Sequence, residues 1–182
     1  VFGGVYKLVA IEKDGEMIPK IKISDNVEKV TNPGLKKVYR IYENDTGMAQ
    51  ADLMALEHEV LDHQTDLTIY HPMSRWKYKV IEGGTYELRD LLVPIFLRGK
   101  IVYQCPSLDG IREYSKRELD TIWEEIKRFA YPQEYYVDLT NNAPCRRPAM
   151  MRNSKRPRTA DIWRKNQSAY FLIPVPLSAT GQ

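Results

Sequence analysis

The spacing of turn chemistry constrains this chain more than any other feature. Between Val5 and Gln104, short apolar runs are punctuated by Asp14-Gly15, Asn32-Pro33-Gly34, Asn44-Asp45-Thr46-Gly47, Gly83-Gly84 and Arg98-Gly99. Glycine supplies positive φ at no steric cost, and Asp or Asn tolerates it, so such pairs fold successive strands back on each other. Val5–Ile11 is apolar on both faces, as a buried strand is, and Met17–Ile23 reads as its return strand, with Pro19 marking an edge or a break. Lys36–Tyr42 and Met48–Leu56 form the next pair, and Leu67–Tyr70 and Trp76–Ile81 are two shorter strands. Leu91–Leu97 and Ile101–Gln104 read as a further hairpin, with Pro94 on an exposed edge.

After Ser107 the period changes. Leu108, Ile111, Leu119, Ile122, Ile126 and Phe129 recur at the spacing of one helix face, which predicts a single helix over Ser107–Phe129. Ser107 is its candidate N-cap, Asp109 sits in the first turn, and Pro132 lies beyond the end. The expected fold class is therefore α+β: mostly antiparallel strands and hairpins with one long amphipathic helix. Residues 141–182 lack any sustained apolar period and read as a disordered basic tail.

With 182 residues, 43% hydrophobic and 28% charged, the chain suits one globular domain with a substantial core. No apolar run approaches the roughly 20 residues that span a bilayer, so no membrane partner is expected. Cys105 and Cys145 are too far apart to form a spaced zinc or disulfide set, which fits a cytoplasmic location. Residues 141–182 hold eight of the 27 Lys and Arg and one of the 24 acids, leaving 19 basic and 23 acidic side chains before them. That tail could attract nucleic acid electrostatically, but only Trp163 and Tyr170 could stack on bases, so a nucleic-acid partner is not expected.

The densest chemistry lies early. Lys20, Lys22, Lys29, Lys36, Lys37 and Arg40 fall within 21 positions, with Ser24 and Thr31 adding hydroxyls. Converging Lys and Arg hold polyanions such as phosphates; a solvated strand face has the same composition, which alone favours that simpler reading. His58, His63 and His71 lack the i, i+4 spacing that puts two ligands on one helix face, so no metal site is expected. Neither a nucleophile elbow nor a Gly-rich phosphate loop is present, and no catalytic residue is assigned.

The segments GGVYKLVAI, KVTNPGLKKVYRIY, DLLVPIFLRGKIVY and SLDGIREYSKRELDTIWEEIKRF, followed by PQEYYVDL, occur in this order across residues 3–139. Together they resemble the C-terminal portion of bacterial-type nicotinate phosphoribosyltransferases. The resemblance implies a role in converting nicotinate and phosphoribosyl diphosphate to nicotinate mononucleotide, with coupled ATP hydrolysis in NAD salvage. It implies Mg²⁺ and ATP for the complete enzyme, none of them bound to this portion alone, and homo-oligomers with active sites shared between subunits. Residues 1–12 would be the last strand of a catalytic barrel lying upstream and 13–140 the C-terminal share of a second α/β domain; 141–182 is the tail. The resemblance also favours the phosphate reading of the lysines: Lys22 is the first candidate contact and Lys29 the second. Without the barrel the chain is expected to be inactive; the alternatives are a nucleic-acid-binding module or an oligomerisation unit.

Overall fold

The computed structural model describes residues 7–22 and 31–143. Asp14 and Gly15 both take positive φ, +55° and +82°, and turn β1 (Ala10–Lys13) back into β2 (Glu16–Pro19). The predicted hairpin is present, but its return strand ends at Pro19, opposite Ala10. The first part of Val5–Ile11 lies outside the described residues, and Leu8 is half exposed.

A six-stranded sheet forms the centre. Its elements are β3 (Lys36–Glu43), β4 (Ala49–Leu56), β5 (Leu67–Tyr70), β6 (Tyr78–Ile81), β7 (Tyr86–Asp90) and β10 (Tyr136–Leu139). The spatial order is β6-β5-β10-β4-β3-β7, and only the β10–β4 pairing is parallel. In β4 (AQADLMAL) burial alternates strictly: Ala49, Ala51, Leu53 and Ala55 are buried and the residues between them are partly exposed. With Ile41, Leu67, Ile69, Ile81 and Tyr86 they build the core face, against which Tyr39, Leu61 and Leu88 also pack. Tyr86 carries a polar atom into this core, and its hydroxyl donates to the carbonyls of Asp62 and Thr65 at 3.2 and 3.1 Å.

Two strands escaped the sequence reading. β7 reads YELRD, with only Tyr86 and Leu88 apolar among charged residues, yet it pairs with β3 along its whole length. β10 is short and carries Asp138, and its burial comes from its neighbours β4 and β5. The predicted Leu91–Leu97 and Ile101–Gln104 hairpin shrinks to β8 (Phe96–Leu97) and β9 (Lys100–Ile101) around Arg98 and Gly99. Leu91 instead continues beside β3, its N–H donating to Val38 O at 2.8 Å.

The single predicted helix is also divided, into α1 (Leu108–Asp120) and α2 (Glu124–Lys127). Ser107 caps α1 as expected, its Oγ accepting from Gly110 N at 3.1 Å. The far end is set by tertiary structure. Ala49 N–H, at the start of β4, donates to Thr121 O at 2.8 Å, and the Thr121 hydroxyl donates to Glu118 O at 2.7 Å. A carbonyl turned out to the sheet cannot serve the next helical turn, and Trp123 leaves in extended conformation.

Gly83 tests the packing of the turn before β7. A Cβ there would meet Gln64 O at 2.3 Å, whereas at Gly47 (φ +67°) nothing lies within 4 Å. Gly83→Ala should lower stability by roughly 1–3 kcal/mol through overpacking, and Gly47→Ala by about 1 kcal/mol through backbone strain alone. Urea denaturation of both variants checks this, and a smaller loss at Gly83 would contradict the described turn.

Candidate functional site

On the face of the sheet opposite the core, the register places Arg40 of β3 directly between Asp52 of β4 and Arg89 of β7. Arg40 grips Asp52 with two parallel bonds, Nε to Oδ1 at 2.8 Å and Nη2 to Oδ2 at 3.1 Å. Glu118 of α1 then reaches down to both arginines. Its Oε2 accepts from Arg40 Nη1 at 3.3 Å and from Arg89 Nη2, and its Oε1 accepts from Arg89 Nη1 at 3.0 Å. Tyr42 donates to the same carboxylate at 3.4 Å and lies under the Arg89 guanidinium at 4.9 Å; Tyr135 donates to Asp52 at 2.9 Å. The hydrogen bond to Asp52 holds the Arg40 pKa above its ordinary value, and burial, with the Asp52 charge beside it, raises that of the Tyr135 phenol. These charges neutralise one another.

The lysine-rich run therefore separates into groups with different tasks. Arg40 belongs to the ion-pair centre. Lys36, at the start of β3, folds back so that Nζ donates to the carbonyls of Asn32, Pro33 and Gly34 at 2.8, 3.2 and 2.6 Å. Burial pushes its ammonium down to about 8. Neither side chain faces outward to meet a phosphate, so these two of the six clustered cations serve the fold itself. Lys22, by contrast, is exposed and is placed by its backbone, whose N–H donates to Thr31 Oγ1 at 3.1 Å. Lys29 lies outside the described residues.

The histidines do not assemble. His71 serves a turn, its Nδ1 accepting from Met73 N at 3.1 Å, while His63 lines an open pocket of about 340 Å³ with Tyr39, Leu61, Glu87 and Leu88. Among the described residues no group of three His, Cys, Asp or Glu could hold a metal ion. Asp52 and Glu118, the acids brought closest to the centre, are already committed to arginines. No helix among the described residues is long and apolar enough to cross a membrane.

Residues 35–144 match the family of the nicotinate phosphoribosyltransferase C-terminal domain. This chain belongs to that family. It is 43% identical over 140 residues to the nicotinate phosphoribosyltransferase of Bacillus subtilis, covering 77% of this chain and 28% of that protein. The human protein of the same name is 28% identical over 138 residues, covering 76% of this chain and 24% of the human one. The solved structure of human nicotinic acid phosphoribosyltransferase superposes with a TM-score of 0.51 at 22% identity, over 62% of this chain and 22% of that one, and so shares the fold. The family's matched region includes every strand of the six-stranded sheet, both helices and all four members of the ion-pair centre. The chain spans about a quarter of the length of these relatives.

Sequence reasoning grouped Arg40 with the phosphate-binding candidates and passed over Asp52, Arg89 and Glu118. Glu118→Ala should remove the ion pairs between helix and sheet and leave Arg89 without its carboxylate, costing roughly 2–4 kcal/mol, the lower end reflecting partial exposure. A double-mutant cycle of Glu118→Ala with Arg89→Ala should give a coupling of about 1 kcal/mol or more. Purely additive losses would show that the carboxylate does not tie the two elements together.

Proposed function

We propose that this chain is the C-terminal region of a nicotinate phosphoribosyltransferase acting in NAD salvage. The observation that carries the reading is the 43% identity to the Bacillus subtilis enzyme over 140 residues, 77% of this chain. The complete enzyme would transfer the phosphoribosyl group from phosphoribosyl diphosphate to nicotinate, releasing diphosphate, with coupled ATP hydrolysis, as a cytoplasmic homodimer. Residues 1–12 would close the catalytic barrel, 13–140 would contribute to the second α/β domain, and 141–182 would be an appended tail. The chemistry of breaking the glycosidic bond would belong to the barrel, and no catalytic acid, base or nucleophile is assigned among the described residues.

What this chain would supply is positive charge toward a phosphate. Lys22 is the residue proposed for that task, supported by its exposure and by an anchored backbone, and Lys29 is proposed as a second contact. A lysine ammonium meets a phosphate as a mobile point charge with three donors, so it fits a substrate whose diphosphate leaves. Mg²⁺ would neutralise charge on that leaving group. The described residues do not fit a magnesium site, since Asp52 and Glu118 already pair with arginines, so no step is assigned to the metal here.

In a complete enzyme carrying this segment, Lys22→Ala should raise the KM for phosphoribosyl diphosphate or ATP about 10- to 100-fold, the equivalent of a charge-assisted hydrogen bond of roughly 1.5–3 kcal/mol, with the melting temperature unchanged. Lys29→Ala should act in the same direction but less, and Lys100→Ala, in the β8–β9 hairpin, should have no effect. Steady-state kinetics with each substrate varied in turn makes the comparison. Identical kinetics for all three would reduce the lysines to solvated surface.

A further inference from the structure

We propose that Lys36 is the positioning residue of the Lys22 segment, a cation set inside the fold to hold a turn rather than to meet a ligand. The geometry is that of a saturated ammonium. Three consecutive carbonyls, from Asn32, Pro33 and Gly34, converge on Nζ, and an ammonium has three protons to give. A run of three carbonyls aimed at one point is a conformation that the backbone alone does not favour, because the oxygens repel one another. Gly34 has a φ of +94°, and among the described residues Asn32 Oδ1 is buried without a partner. The turn thus bears a polar cost that the ammonium offsets.

What this turn supports connects it to Lys22. Gly34 N–H donates to Val9 O at 2.8 Å, and the same oxygen accepts from Lys20 N–H at 2.7 Å. Two residues beyond Lys20, the Lys22 N–H donates to the hydroxyl of Thr31, which is 3% exposed and lies next to Asn32. Lys36, the turn, Val9 and the Lys20–Lys22 backbone therefore form one hydrogen-bonded unit built on the first residue of β3. Because β3 pairs on both sides, with β4 and β7, the ammonium transfers the rigidity of the sheet to a segment that belongs to no sheet strand. The kinetic consequence rests on the proposed role of Lys22; the structural one does not.

Amide hydrogen exchange on the 182-residue chain tests the structural claim with Lys36→Met, which keeps the length of the side chain and removes its donors. Exchange at Lys22 and Gly34 should accelerate about ten-fold or more while Ile41 and Leu53, in the middle of the sheet, keep their protection. Lys36→Arg, which retains donors, should restore part of the loss. Unchanged exchange at Lys22, or an equal acceleration at Ile41 and Leu53, would overturn the proposal, the latter because Lys36 would then stabilise the fold in general. In the complete enzyme, Lys36→Met should raise the KM for phosphoribosyl diphosphate with kcat within about two-fold, and the Lys22→Ala/Lys36→Met double variant should be no worse than Lys22→Ala, since Lys36 acts through Lys22. Additive kinetic losses would overturn it as well. Accelerated exchange in Lys36→Met together with normal kinetics in Lys22→Ala would uphold the positioning role and reject the phosphate role of Lys22.

Discussion

One carboxylate holds the helix to the sheet. Glu118 is the point at which α1 meets β3 and β7, and it does so by accepting from two arginines that the strand register has already placed side by side. No residue of α1 is fully buried, and Leu108, Ile111 and Leu119 stay substantially exposed, so apolar burial contributes little to seating the helix within the described residues. Two adjacent guanidinium groups without Glu118 and Asp52 would repel each other. With them, the four charges sum to zero and each guanidinium has a planar partner. The same contact places Thr121, whose carbonyl accepts from the first residue of β4 and ends the helix.

This arrangement explains why the cations early in the chain are not equivalent. Arg40 and Lys36 lie in the same strand, four residues apart, and a strand alternates its faces, so both point to one side. There one meets a carboxylate pair and the other a ring of carbonyls, and each is neutralised or saturated by the protein itself. Lys22 lies before the sheet, on a segment held through backbone hydrogen bonds, which leaves its ammonium to solvent or to a ligand. One lysine-rich stretch thus supplies both cations held inside the fold, Lys36 and Arg40, and an exposed one, Lys22.

Much of the strand framework was legible in the sequence, because short apolar runs and turn pairs such as Asp14-Gly15 and Arg98-Gly99 are local signals. What was not legible depended on distant partners. β7 looks like a polar connection until β3 pairs with it, and its arginine acquires a function only when Glu118 arrives from a helix 29 residues later. β10, the parallel strand inserted between β4 and β5, has no turn signal because its neighbours are remote in sequence. The division between α1 and α2 likewise reflects a hydrogen bond from Ala49, which no helical periodicity contains. For the candidate site, composition gave the cations but could not say which way they face, and the resemblance to a family supplied the reason to single out Lys22.

The central claim is that Lys36 is internal to the fold and Lys22 available to phosphate. Nitrogen-detected NMR of the lysine ammonium groups, with inorganic diphosphate titrated into the chain, tests it directly. The account predicts that Lys36, held by three carbonyls, gives a slowly exchanging ammonium signal that diphosphate leaves unmoved, while Lys22 is in fast exchange with water and shifts as diphosphate is added. A Lys36 ammonium that exchanges as fast as the surface lysines, or that shifts with diphosphate while Lys22 stays still, would contradict it.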